Sequence, residues 1–414
     1  MDIEKNYQSA KKMYMDFGVD TDKVLEKMKE ISISIHCWQG DDIRGFEKAE
    51  GFSGGLVATG NYPGRAKNPA QLRQDIEMVL SLLPGRHRIN LHSIYGENHI
   101  ERDKITIDNF KGWLDWAKQK GLGIDFGLTC FSHPMANSGY TLSSEDKNIR
   151  NFWIRHAKAC REIAYHIGKE LNTACINNIW IPDGSKDIPA DRITHRKILK
   201  DSLDDIFSHK YDKKFMEDSL ESKLFGIGFE SYVVGSFEFY YAYAIKNNVM
   251  LCLDTGHFHP TENIADKISS ILIFQNKLLL HISRGVRWDS DHVVILNDEI
   301  VSIAQEVKRY NAFDKVHFAL DYFDASINRI TAWVIGARAL SKAILFSLLE
   351  PTHIIQKEEK NGNFGNRLAL MEEFKTLPFS FIWDKHCSIY NVPVKDKYLD
   401  NIKKYEENIL SKRK

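Results

Sequence analysis

The segment Leu251-Cys252-Leu253-Asp254-Thr255-Gly256-His257-Phe258-His259-Pro260 runs from an apolar stretch into a carboxylate, and an imidazole follows three residues later. That order suits a divalent-metal site at the C-terminal end of a barrel strand, where the active sites of α/β barrels form. Three further apolar runs end on a metal-ligand type: Leu278-Leu279-Leu280-His281, Phe318-Ala319-Leu320-Asp321 and Phe225-Gly226-Ile227-Gly228-Phe229-Glu230. One such run is common. Four in succession predict strands that deliver ligands to a single rim.

Each residue also has a plainer use when taken singly. Asp254 and Asp321 could cap the helices that follow, since Asp is favoured there, and Asp324 is the better cap of the last pair. His281 could be a hydrogen-bonded core histidine, and the loop Trp288-Asp289-Ser290-Asp291-His292 could be a solvated turn. His259, before Pro260, reads as structural. Glu230 is costly to bury unpaired, so a metal or an arginine must satisfy it. Their recurrence together favours a ligand set of Glu230, Asp254, His257, His281, Asp289, Asp291 and Asp321. Oxygen donors suit Mg²⁺, Mn²⁺ or Co²⁺, and the imidazoles tilt the choice towards Mn²⁺, Co²⁺ or Zn²⁺. Six or seven groups are too many for one ion, so two ions sharing a bridging carboxylate are expected.

On the other half of the rim, His92 closes Arg88-Ile89-Asn90-Leu91 and could orient or protonate a substrate oxygen. The alternative is a structural histidine. Trp38, Phe131 and Trp180 could form an apolar wall for the C–H faces of a polyol, or simply be core. Asp183, Lys186 and Asp187 offer polar groups near the same mouth.

The elements that must hold these residues alternate. Strand character is expected at 31–35, 87–91, 123–128, 174–181, 224–230, 250–254, 278–281 and 316–321, with helical patterns between them such as 69–83, 107–119, 148–172, 237–246, 264–274 and 298–310. Eight strands, each followed by a helix-length segment, predict a (β/α)8 TIM barrel. The open doubly wound sheet is the competitor, but the first strand leads into His36-Cys37-Trp38-Gln39-Gly40 without a GxGxxG turn. The expected organisation is an N-terminal helical segment at 1–30, the barrel at 31–340 and a C-terminal helical extension at 341–414, suited to packing on a neighbouring subunit. Long loops near 51–66 and 132–139 are candidate lids.

The 414 residues carry 56 Lys+Arg and 56 Asp+Glu, a zero formal charge that gives no support to a nucleic-acid or anionic-membrane partner. The charged start Met1-Asp2-Ile3-Glu4-Lys5 lacks a secretory core, and no uninterrupted apolar run reaches the ~18 residues of a membrane span. Six scattered cysteines without a CxxC pair point to free thiols in a reducing cytoplasm.

Several consecutive runs carry a family resemblance: 54–64 (GGLVATGNYPG), 90–97 (NLHSIYGE), 252–262 (CLDTGHFHPTE), 286–293 (VRWDSDHV) and 323–329 (FDASINR). The chain resembles the L-rhamnose isomerase family, within the xylose-isomerase-like barrel group. The resemblance implies a cytoplasmic homotetramer of (β/α)8 subunits that interconverts L-rhamnose and L-rhamnulose with Mn²⁺ or a similar ion. It assigns one metal to Glu230, Asp254, His281 and Asp321, and a second to His257, Asp289 and Asp291 with Asp254 bridging. Relatives in the wider group have a Lys two residues after the fifth-strand Glu; counted from Glu230, this chain has Tyr232 there. Such a rim suits a metal-assisted 1,2-hydride shift, with His92 assisting ring opening. An abasic-site phosphodiesterase on the same barrel is the competing enzyme, and a metal-dependent sugar-binding protein the competing non-enzyme.

Overall fold

The computed structural model describes residues 2–47, 58–223, 231–286 and 288–413, excepting the side chains of 288–290. Its strands are β1 (Ser32–His36), β2 (Arg86–His92), β3 (Gly123–Gly127), β4 (Cys175–Trp180), β5 (Met216–Glu221), β6 (Met250–Asp254), β7 (Leu278–Ile282) and β8 (Val316–Leu320). They close in sequence order into a parallel barrel, with β1 paired to β8. The TIM-barrel expectation holds. Helices such as Pro69–Leu80, Lys147–Leu171 and Asp298–Arg309 follow the strands, within a few residues of their expected bounds.

Register fixes the height of each side chain at the rim. Asp254 stands opposite His281, and His281 opposite Ala319. Glu221 stands opposite Cys252, two residues below Asp254. Beneath the rim, Ile176, Met250, Cys252, Leu279 and Ala319 form a small apolar plug inside the barrel. The larger core lies between strands and helices and includes the fully buried Trp113, Trp153 and Trp333.

The fifth strand differs from the sequence expectation. Residues 224–230, Glu230 among them, lie outside the described residues, and the strand between β4 and β6 is Met216-Glu217-Asp218-Ser219-Leu220-Glu221. Three acids in six residues hide a strand from any hydropathy pattern. The fold tolerates them because other elements neutralise them. Lys277 pairs with Glu217, and Arg161 with Asp218 at 2.9 Å. Asn177 also donates to Asp218, at 2.9 Å. The helix Arg192–Ile206, started by the Asp191 side chain on the Thr194 N–H, fills the β4–β5 connection.

The terminal segments pack on each other and on the barrel. Helix Ile3–Asp16 meets helix Phe379–Ile389, with Lys385 Nζ 2.7 Å from Glu4. The boundary expected at residue 340 falls inside helix Arg329–Leu348. By length and composition that helix could cross a membrane, but its apolar run is interrupted by Arg338, Ser341 and Lys342 and most of it is buried in the protein, as a core helix would be. The final helix, Tyr398–Asn408, and the tail hold down the returning limb of the loop after β1. Tyr62 donates to Glu406 at 2.6 Å, and Arg413 donates to Gly64 O at 3.1 Å. Gly64 adopts φ +85°, and a Cβ there would stand 2.6 Å from Leu410 Cβ. All six cysteines are free and buried, as expected.

Candidate metal centre

Four strands end in donors that converge. Glu221 closes β5, Asp254 closes β6, His281 lies on β7 and Asp321 follows β8. Their ligand atoms lie within 4.8 Å of one another. His281 Nδ1 is 3.1 Å from Glu221 Oε2, 3.3 Å from Asp321 Oδ2 and 4.0 Å from Asp254 Oδ2. A second group, Asp254, His257 and Asp291, shares Asp254 with the first. The backbone of Asp289 lies on the hairpin strand Trp288–His292; its side chain is outside the described set.

Neighbours orient the donors. Asp254 Oδ1 accepts from the Gly256 N–H at 2.7 Å and from Ser283 Oγ at 2.9 Å, while its Oδ2 is buried without a hydrogen bond. His257 Nδ1 donates to Ser222 O at 2.9 Å, which makes Nε2 the lone-pair nitrogen. Asn178 Nδ2 donates to Glu221 Oε2 at 2.5 Å and is itself held by Ser219 Oγ at 2.7 Å. Trp38 Nε1 donates to Asp321 Oδ1 at 2.9 Å.

The electrostatics ask for a cation. Burial pushes the Asp254 carboxyl up to about 7, against the lowering field of His257. Burial also raises Glu221, but the His281 charge and the hydrogen bond from His257 outweigh it and hold Glu221 well below the usual range. Burial works against charge on His281; the fields of Cys252 and Glu221 overcome it and raise the imidazole. Three carboxylates and two imidazoles this close, with Asp254 Oδ2 and both His281 nitrogens lacking hydrogen bonds, fit a divalent ion.

The wall opposite is aromatic. Trp38, Phe131 and Trp180 line the same cavity as His92, Glu221 and His257. His92 meets the edge of Trp38 at 4.7 Å, and Trp180 stacks on His257 at 6.2 Å. His92 Nδ1 donates to Leu128 O at 3.1 Å, and burial holds its pKa down to about 4, so the ring is neutral with its lone pair on Nε2. Behind it, Thr129 Oγ1 lies 3.2 Å from His92 Nδ1, and the Thr129 N–H donates to the buried His156 at 3.2 Å.

Other candidates lie elsewhere. Asp183 is buried but accepts from Thr141 Oγ1 at 2.5 Å and from Ser143 N and Oγ at 2.9 and 2.5 Å, which consumes it structurally. Lys186 and Asp187 are exposed and do not line the cavity. His259 is exposed beside Thr261. Tyr232 is buried, with its hydroxyl on Arg192 O at 3.3 Å.

Residue-by-residue reading of the sequence passed over Glu221, Asn178 and Lys223. Lys223 follows Glu221 by two residues, the spacing that the family resemblance asks for, so the departure counted from Glu230 disappears. Its ammonium stands 5.4 Å over the Trp180 ring. The signal was present as Glu221-Ser222-Lys223, but it followed an acidic strand.

Barrel and site together define a class: (β/α)8 proteins with a carboxylate–imidazole cluster at the C-terminal rim that could hold metal. A family model described as L-rhamnose isomerase (RhaA) matches residues 1–413. The L-rhamnose isomerase of Rhodopirellula baltica is 51% identical, across 99% of this chain and 97% of that protein. The L-rhamnose isomerase of Mannheimia succiniciproducens is 52% identical, across 99% of each. The chain belongs to the L-rhamnose isomerase family. Among solved structures, D-psicose 3-epimerase from Clostridium cellulolyticum H10 aligns with 77% of this chain and 99% of its own at 13% identity and a TM-score of 0.48. An L-ribulose 3-epimerase aligns with 75% and 95% at 12% identity and a TM-score of 0.48.

Proposed function

We propose that the protein interconverts L-rhamnose and L-rhamnulose with two divalent cations per subunit, Mn²⁺ first among them, as a cytoplasmic homotetramer. The observation that carries the reading is the convergence of Glu221, Asp254, His281 and Asp321 on one rim, in a chain of this family. These four would hold one ion. His257 and Asp291, with Asp254 shared and Asp289 as the expected fourth, would hold the other. When bound, the pair supplies Lewis-acid polarisation of two neighbouring sugar oxygens.

The chain's own groups account for the remaining chemistry. Neutral His92, with Nδ1–H committed to Leu128 O, presents Nε2 as the base that takes the anomeric hydroxyl proton when the ring opens. Trp38, Phe131 and Trp180 cover the C–H faces of the open chain and keep water from C1 and C2. In that dry setting the hydrogen on C2 moves with its electron pair to C1, while the O2 proton passes to O1. The Lys223 ammonium stabilises the negative charge that develops on the carbonyl oxygen. Zero net charge argues against the competing abasic-site phosphodiesterase, which needs a basic groove.

The test is turnover of L-rhamnose by EDTA-stripped protein, with and without added Mn²⁺. Ketose should form only after Mn²⁺ addition and not in His257→Ala. Inert protein with metal bound would overturn the reading, and solvent tritium at C1 or C2 in every turnover would overturn the hydride shift.

A further inference from the structure

The chain leaves the barrel sheet at Gly127, yet Leu128, Thr129, Cys130 and Phe131 stay buried. A buried segment outside the sheet needs other partners for its backbone groups. Two side chains supply them. Arg102, in the short turn Arg102–Lys104 between β2 and β3, donates from Nη1 to Thr129 O at 2.9 Å and to Phe131 O at 2.5 Å. Its Nη2 donates to Ser132 O at 3.1 Å, and its Nε to Glu47 Oε2 at 2.8 Å, so the buried charge keeps a counter-ion. His156, on helix Lys147–Leu171, accepts the Thr129 N–H at 3.2 Å and donates from Nδ1 to the carbonyl of Arg102 itself at 2.9 Å. Arg102 and His156 thus grip residues 129–132 as one unit. Ser132, at the end of that stretch, adopts φ +53°, a left-handed conformation that a non-glycine residue keeps only where its surroundings over-determine it.

The gripped stretch carries groups that face His92 and the aromatic wall. Leu128 O and Thr129 Oγ1 stand 3.1 and 3.2 Å from His92 Nδ1, and Ser93 Oγ donates to the same Thr129 hydroxyl at 2.9 Å. The Phe131 ring meets His92 edge-on at 6.1 Å and Trp180 at 5.7 Å. We infer that Arg102 and His156 are positioning residues for the isomerisation. Acting through Leu128, Thr129 and Phe131, they set the tautomer and ring direction of His92 and the place of the wall beside it. A planar guanidinium can hold these carbonyls and a carboxylate together, whereas a lysine ammonium has too few donors and no fixed fork. The kinetic consequence rests on the proposed function; the grip on residues 129–132 does not.

The experiment compares wild type with Arg102→Lys, Thr129→Val and Thr129→Ser, all loaded with Mn²⁺. Hydrogen exchange read by mass spectrometry should accelerate by ~10-fold or more in peptides spanning 128–132 of Arg102→Lys, with peptides from β6 and β7 unchanged and Mn²⁺ binding retained. Its kcat on L-rhamnose should fall by ~10–100-fold, further than KM rises. Thr129→Val keeps the shape and removes the hydroxyl, and should lose kcat. Thr129→Ser keeps the hydroxyl and loses a methyl, and should recover it; packing alone predicts the opposite order. If Arg102→Lys does not fold, His156→Leu, which frees only the Thr129 N–H, is judged by the same readings. Unchanged exchange at 128–132, faster exchange with kcat unchanged, or Thr129→Val as active as Thr129→Ser overturns the inference. Absence of L-rhamnose turnover in wild type would overturn the proposed function and leave the exchange difference as it is, so the two failures are distinguishable.

Discussion

Glu221 Oε2 and His281 Nδ1 stand 3.1 Å apart, although their strands, β5 and β7, are separated by β6. The barrel's curvature brings them together over its axis. Removing either partner should therefore empty a whole seat rather than trim one. Glu221→Gln or His281→Ala is expected to leave no more than one Mn²⁺ per subunit and to lower turnover by more than ~100-fold. Metal analysis of dialysed protein checks the first, and two ions retained would refute it.

Asn178 touches Glu221 without belonging to any of the donor groups. Asn178→Ala frees the carboxylate to rotate, and the expected cost is ~10–100-fold in metal affinity. The fold should be intact, because Asn178 faces the site. Mn²⁺ titration of the variant decides, and an unchanged dissociation constant would count against this supporting role.

His156 makes a pH prediction with a defined sign. Its Nδ1 donates to Arg102 O at 2.9 Å and its Nε2 accepts from Thr129 N, so only the neutral ring satisfies both bonds. Burial lowers its pKa from 6.5 to about 3. Since the folded value is depressed, the unfolded chain takes up the proton first as pH falls. The stability that neutral His156 contributes is thus complete above 6.5 and is lost as pH falls from there towards 3, by up to ~1.4 kcal/mol per pH unit. His156→Gln should be less stable at neutral pH but show a shallower decline on acidification. Urea midpoints of the two proteins at about pH 7 and pH 5 read this directly, and parallel declines would exclude it.

Where the C-terminal tail packs on the helix after β1, Arg413 pairs with Asp75 at 2.6 Å, with both side chains at most 5% exposed. Tyr405 adds a hydrogen bond to the same carboxylate at 2.6 Å. Arg413→Ala should cost ~3 kcal/mol because it strands a buried acid. The double variant with Asp75→Asn should lose less than the sum of the two single losses. Strict additivity in denaturation would show that the pair contributes nothing.

Much of the rim was legible because its chemistry sits where hydropathy changes. Asp254, His281 and Asp321 each terminate an apolar barrel strand, and a polar ligand at the end of an apolar run is visible in one dimension. The alternation of strands and helices was legible for the same reason, since each element has an apolar face with its own period. The sequence by itself thus determined the barrel, seven of its eight strands and the clustering of Asp254, His257, His281, Asp291 and Asp321 at the rim.

Tertiary structure decided what depends on partners far along the chain. Met216–Glu221 is a strand only because Arg161, Lys277 and Asn177 supply counter-charge and hydrogen bonds to its acids. Asp183 and Lys186 follow β4 alike, yet Asp183 is consumed by Thr141 and Ser143 and Lys186 faces solvent. Burial and pairing set the cost of a charge, and both belong to the folded neighbourhood rather than to the residue.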